Sequence, residues 1–105
     1  MDIQLKRGIL DVCVLTSLLK GESYGYKIIK DVSPIVEISE STLYPILKRL
    51  EQANCVLSNK VEHNGRLRKY YEITPLGQQK ITDFILEWEE IMKIYCYIKE
   101  NKNDD

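Results

Sequence analysis

The stretch SESTLYPILKRLEQANCV, residues 39–56, decides how the chain is read: its aliphatic residues recur at helical spacing, yet Pro45, which has no N–H, sits among them. With Ser39 or Ser41 as N-cap, Pro45 falls in or just past the first turn, where few intrahelical bonds are lost. The proline therefore marks a helix that is beginning. On a wheel, Leu43, Ile46, Leu47 and Leu50 share one face, Ser41, Tyr44, Pro45, Lys48 and Gln52 lie opposite, and Arg49 is at the flank. From Ser41 onward the polar face carries no acid before Glu51. Hydroxyls, an aromatic ring and cations suit a phosphate-lined groove, although a plain solvated face has the same composition.

Downstream, VLSNKVEHNGRLRKYYEI (56–73) alternates like two strands around Asn64-Gly65, a dipeptide whose members both tolerate positive φ. A two-residue turn pairs His63 with Arg66, Val61 with Arg68, Lys60 with Lys69, Ser58 with Tyr71 and Val56 with Ile73. Val56, Tyr71 and Ile73 then face a core. Lys60 opposite Lys69 costs an isolated sheet a few tenths of a kcal/mol, a penalty that an anion between them would remove. With Arg66 and Arg68 beside the tip, the hairpin reads as an arm reaching for a phosphate backbone, or, if a bulge separates the lysines, as a charged surface ribbon.

Upstream, the apolar residues of Leu5–Leu19 cover more than one stripe of a helix, so a second cover is expected, a partner subunit reaching Leu5 and Ile9. Lys20-Gly21 ends that helix. Ser23 is placed to cap a short helix over Tyr24–Val32, with Tyr24, Ile28 and Val32 on one face, stopped by Ser33-Pro34. Beyond the hairpin, Thr74-Pro75 opens a last helix over residues 75–98, roughly 36 Å long. Ile81, Phe84, Trp88, Ile91, Tyr95 and Ile98 step along it by three and four in a heptad register, widened by Ile85 and Met92. A stripe that long exceeds what one small domain covers, so a second copy of the chain is expected on it; the competing reading folds it back on its own core. Residues 101–105 are expected to fray.

The totals set the frame. A chain of 105 residues with 44% hydrophobic and 30% charged residues is one ordinary globular domain with one small core. Asp2 and Asp11 flank the first apolar run, against a signal peptide and for a cytoplasmic, non-membrane protein. Cys13, Cys55 and Cys96 show neither disulfide nor zinc spacing and read as small interior hydrophobes. The net charge of -1 hides a segregation: residues 41–71 carry six Lys and Arg against two Asp and Glu, whereas residues 72–105 carry four against eight. His63, the single histidine, stands beside a turn, and with no GxGxxG, P-loop or metal-spaced cluster an enzyme is not expected and no cofactor is implied.

Helix, helix, helix, basic hairpin, long helix is the order of a winged helix-turn-helix: mainly α with a small β-hairpin, residues 1–73 forming the winged domain and 74–100 a C-terminal dimerisation helix. In that arrangement the third helix enters the major groove and the wing follows the backbone. The pieces GILDVCVLTSLLKGESYGYKI (8–28), SESTLYPILKRLEQANCV (39–56) and RKYYEITPLG (68–77), in that order, resemble the PadR family of bacterial transcriptional regulators over nearly the whole chain. The resemblance implies a cytoplasmic homodimer, usually a repressor, that binds a pseudo-palindromic operator in double-stranded DNA and releases it when a small molecule binds. Carried over by position, Ser41, Thr42, Tyr44, Pro45 and Lys48 match the recognition-helix motif, and Arg68, Lys69 and Tyr70 the wing motif; Arg66 joins them from its place beside the tip. Tyr71 also matches but points inward by register. Ser41 replaces a frequent glycine, Tyr24 a frequent histidine, and the tip HNGR is short. Ile81, Phe84, Trp88, Ile91, Tyr95 and Ile98, with Leu5 and Ile9, are the expected dimer contacts, and Trp88 is the residue on which a flat hydrophobic effector would stack if it is not interface core. The alternative is a winged helix that binds an acidic protein instead of DNA.

Overall fold

The apolar run near the N-terminus builds the first wall of the core. In a computed structural model, which describes residues 1–102, helix α1 spans Ile3–Thr16 and leaves Val14 and Leu15 with no exposed surface. It stops before the expected Leu19. Thr16 Oγ1 and Ser17 Oγ donate to the carbonyls of Val12 and Val14 at 2.7 and 2.6 Å, drawing the backbone into a turn. Gly21, at φ 142°, completes the reversal, and Leu18 is buried within it.

The segment after Gly21 differs from expectation. Ser23 is not a side-chain cap: Ser23–Tyr24 form strand β1, and helix α2 spans Gly25–Val32. A two-residue strand carries no periodic signal; its distant partner decides it. Helix α3 spans Glu40–Gln52 behind Ser39, so Pro45 is its sixth residue, just past the first turn. Ser39 Oγ meets Ser41 Oγ at 3.0 Å and Thr42 Oγ1 at 3.3 Å and caps no N–H. Leu43, Ile46, Leu47 and Leu50 are buried, as the wheel requires. Asn54, at φ 62°, ends α3: the Asn54 and Cys55 amides donate to the carbonyls of Glu51 and Leu50, a Schellman arrangement.

Strands β2 (Val56–His63) and β3 (Arg66–Ile73) pair antiparallel in the anticipated register, from His63 with Arg66 to Val56 with Ile73, without a bulge. Asn64 (φ 52°) and Gly65 (φ 78°) make the turn. β1 adds to the other edge of β3, Ser23 opposite Tyr71 and Tyr24 opposite Tyr70, giving the sheet order β1-β3-β2.

Helix α4 runs Pro75–Lys102, about 42 Å. Thr74 Oγ1 accepts from the Gly77 amide at 3.1 Å, the expected cap, and donates to the Asn54 carbonyl at 2.7 Å. α4 packs on α1 and β3 through its first turns, with Ile81 against the core; its second half stands clear. The radius of gyration, 16.7 Å, exceeds the about 13 Å of a compact chain of this length because that half projects. The fold-back reading thus holds for the base of α4 only. Asn101 and Lys102, expected to fray, remain helical, Asn101 Nδ2 donating to the Tyr97 carbonyl at 2.8 Å; residues 103–105 lie outside the described residues. Of the cysteines, Cys55 is buried and Cys13 half-buried, but Cys96 is exposed on α4, contrary to an interior place.

One ion pair joins α1 to α3. Arg49 Nη2 donates to Asp11 Oδ1, and the Asp11 side chain is only 10% exposed against 41% for Arg49. Removing the arginine strands a buried carboxylate, whereas removing the aspartate leaves a cation that reaches water. Arg49→Met is therefore expected to destabilise by about 2 kcal/mol or more and Asp11→Asn by about half as much. Urea unfolding at pH 7 measures both, and a reversed order contradicts the asymmetry.

Gly77 sits where a Cβ would lie 2.3 Å from the Cys55 carbonyl oxygen and 2.7 Å from Ile73 Cγ1. Glycine to alanine inside an exposed helix ordinarily stabilises by about 1 kcal/mol. Here Gly77→Ala is expected to lower the melting temperature; a rise shows that the base of α4 can yield.

Candidate nucleic-acid interface

Burying the apolar face of α3 turns Ser41, Thr42, Tyr44, Pro45 and Lys48 outward, and all five are exposed. Tyr44 lies toward the wing, its hydroxyl over Gly25, where a Cβ would stand 2.3 Å from the oxygen. Gly25 thus lets the start of α2 and the Tyr44 ring approach, a role that no local signal in the sequence announced.

Strand pleating sorts the wing's cations onto two faces. Arg66, Arg68 and Tyr70 share one face, and Lys69 shares the other with Tyr71. On the first, the Arg68 guanidinium lies 4.1 Å from the Tyr24 ring centroid and Tyr24 meets Tyr70 edge-on at 5.5 Å. Arg68 Nη1 also donates to the Tyr70 hydroxyl at 3.4 Å. Tyr24, expected on an α2 face with Ile28 and Val32, is instead the platform that holds Arg68 in place.

On the second face, Lys60 and Lys69 are directly opposite, and the anion that offsets their repulsion belongs to the chain itself. Glu51 Oε1 is 3.8 Å from Lys69 Nζ, and Ser58 Oγ donates to Glu51 Oε2. Lys69 remains 45% exposed, so the pair is weak and can be exchanged for another anion. Burial pushes the Tyr71 hydroxyl pKa above its usual value, partly opposed by Lys69, so Tyr71 packs as a neutral phenol. Among the described residues Lys48, Lys60, Arg66 and Arg68 have no carboxylate within 4 Å. Between wing tip and α3 lies an open hollow of about 770 Å³, with Tyr44, Arg66, Arg68 and Lys69 in its lining.

A second, apolar hollow of about 480 Å³ lies between α1, the end of α2 and the base of α4, lined by Ile9, Val12, Cys13, Phe84 and Ile85 among others. Trp88 stands a turn beyond, half-buried, its ring 5.9 Å from Phe84. Burial pushes the Cys13 thiol pKa up, so it stays protonated and a poor nucleophile at neutral pH. Leu5, Ile91, Tyr95 and Ile98 are exposed, while Ile9, Ile81 and Phe84 are half-buried against the chain's own helices. Among the described residues no three His, Cys, Asp or Glu side chains gather as a metal set, and no helix is long and apolar enough to cross a membrane.

Residues 14–83 match the transcriptional regulator PadR-like family. A transcriptional regulator from Clostridium thermocellum is 34% identical, covering 88% of this chain and 94% of that one at a TM-score of 0.79. A PadR family transcriptional regulator from Eggerthella lenta superposes at 0.82 with 28% identity over 93% of this chain and 88% of that one. Bacillus subtilis PadR, solved in complex with operator DNA, is 26% identical with a TM-score of 0.67, covering 73% of this chain and 46% of that one. With the winged-helix architecture and the family match over residues 14–83, the chain belongs to the PadR-like family of transcriptional regulators, which are not enzymes.

Proposed function

We propose that this protein is a cytoplasmic DNA-binding repressor that sits as a homodimer on a pseudo-palindromic operator and leaves it when a flat hydrophobic effector binds. The observation that carries the DNA reading is the acid-poor surface shared by the exposed face of α3 and the wing, with four cations free of carboxylates. Ser41, Thr42, Tyr44 and Pro45 meet base edges and groove shape; Lys48, Arg66, Arg68 and Lys69 contact phosphates, and Tyr70 steadies Arg68. Counterion release by those cations supplies most of the affinity. The operator-bound PadR of Bacillus subtilis supports this reading.

The dimer reading rests on α4, whose Ile91, Tyr95 and Ile98 are 36%, 48% and 57% exposed along one stripe. Exposed aliphatic and aromatic groups at heptad spacing are covered by a like helix, and Trp88 with Phe84 lies where such a contact begins. A planar compound stacking on Trp88 and entering the neighbouring apolar hollow is the effector this arrangement favours.

Expected outcomes separate the roles. Arg66→Ala and Arg68→Ala each reduce the slope of log affinity against log salt by about one unit for each bound subunit, about two for the dimer, and Lys69→Ala by less, because Glu51 already competes for it. Tyr24→Ala weakens binding with the slope intact, because it removes a platform and not a contact. Titration of duplex DNA monitored by anisotropy measures all four; wild-type protein that ignores duplex at low salt returns the function to an acidic protein partner. In sedimentation at micromolar concentration a dimer is expected, and Ile91→Asp combined with Ile98→Asp yields monomer. A wild-type monomer refutes the dimer.

A further inference from the structure

We infer that the start of α1 forms a second phosphate-binding edge, with Lys6 and Arg7 gripping the DNA strand on the side of α3 away from the wing; this rests on the DNA reading above. α1 has two distinct faces. Ile9, Val12 and Cys13 border the hollow under α4. Lys6, Arg7 and Leu10 border a different hollow of about 360 Å³, whose opposite wall is Thr42, Pro45 and Arg49 of α3. Contacts made by the first face leave the second open. The exposed front of α3 is therefore flanked on both sides, by the wing where Tyr44 lies and by the start of α1 where Thr42 and Pro45 lie.

The charges at this edge are unspent. Lys6 and Arg7 are both exposed, and among the described residues neither has a carboxylate within 4 Å. Arg7 has an acid one turn on, Asp11, at the spacing that usually pairs. That acid is buried and engaged by Arg49, which leaves Arg7 available and neutralises Arg49 instead. The first turn of α1 contains no acid; the acids bracketing the edge are Asp2 before α1 and Glu40 at the start of α3. A helix about 10 Å across fills a major groove about 12 Å wide, so a phosphate strand passes along each of its sides. The wing reaches one strand. The other needs cations on the opposite flank, and Lys6 and Arg7 are placed there. Residues 1–40 carry five Lys and Arg against six Asp and Glu, and that near-balance conceals the pair in any segment-wise count.

The test is the double variant Lys6→Ala with Arg7→Ala, both exposed and both replaced by a strong helix former. Affinity for random duplex DNA is measured across a salt series beside wild type, Arg68→Ala and Lys80→Ala, the last removing a charge at the base of α4. The expected result is a salt slope lower than wild type by about two units for each DNA-bound subunit, about four for the dimer, with Lys80→Ala unchanged and circular dichroism identical. A slope equal to wild type while Arg68→Ala lowers it overturns the second edge and leaves the DNA reading standing. An equal per-charge loss from Lys80→Ala shows a net-charge effect and also overturns it. Wild-type protein without duplex affinity overturns both readings together.

Discussion

The rest of the structure depends on which way α3 is rotated, and that rotation is set by burial of Leu43, Ile46, Leu47 and Leu50 against Val14, Leu15 and Ile28. At about 1.5–3 kcal/mol for each buried aliphatic side chain, these four groups hold the orientation with an energy comparable to the stability of a whole small domain. No contact on the polar side competes with that. Ser41, Tyr44 and Lys48 are thus presented by the core, and the proline among them forfeits one backbone bond, to the Ser41 carbonyl, in a ladder that the Leu43 amide has already begun on Ser39. The Asp11–Arg49 pair adds direction to this packing: an ion pair between two helices fixes their sliding position, which apolar contact alone leaves loose.

What was legible in the sequence follows from how local each determinant is. The β2–β3 register was readable in full because Asn64-Gly65 forces one turn geometry and a two-residue loop leaves a single alignment. The rotation of α3 was readable because its apolar set is compact. Tyr24 was misplaced because β1 exists only through Tyr70 and Tyr71, nearly fifty residues away, and a two-residue strand leaves no period of its own. Arg68 could be picked out as a cation but not as one stacked on a tyrosine, and Glu51, counted as the end of an acid-free face, was not visible as the counter-charge of Lys69. At the early end of α1 the ladder tightens, the Leu18 and Leu19 amides donating three residues back to the Leu15 and Thr16 carbonyls, a change that apolar periodicity does not report.

Charge is distributed in keeping with this division of labour. Helix α4 is close to balanced, five Asp and Glu against four Lys, while residues 41–71, which hold most of α3 and the wing, carry six Lys and Arg against two acids. A near-neutral total whose excess of cations is gathered at α3 and the wing is a dipole, and a dipole orients a molecule approaching a polyanion before any contact forms. A near-balanced α4 offers a polyanion no comparable excess of cations.

The two faces of α1 bear on how a small molecule would act on a distant groove. Ile9, Val12 and Cys13 border the apolar hollow, and Asp11, between them in sequence, turns the other way to Arg49. A rigid helix cannot move one face without the other, so any compound that favours a different setting of α1 against α4 acts also on the partner of Arg49, and through it on the rotation and tilt of α3. Occupancy alone would change nothing; the compound must prefer one setting by more than the energy that separates the two. A tenfold change in DNA affinity needs about 1.4 kcal/mol of preference beyond that gap. A ligand does not have to unpack α3 to loosen its hold on DNA. It has only to shift the helix on which α3 is registered.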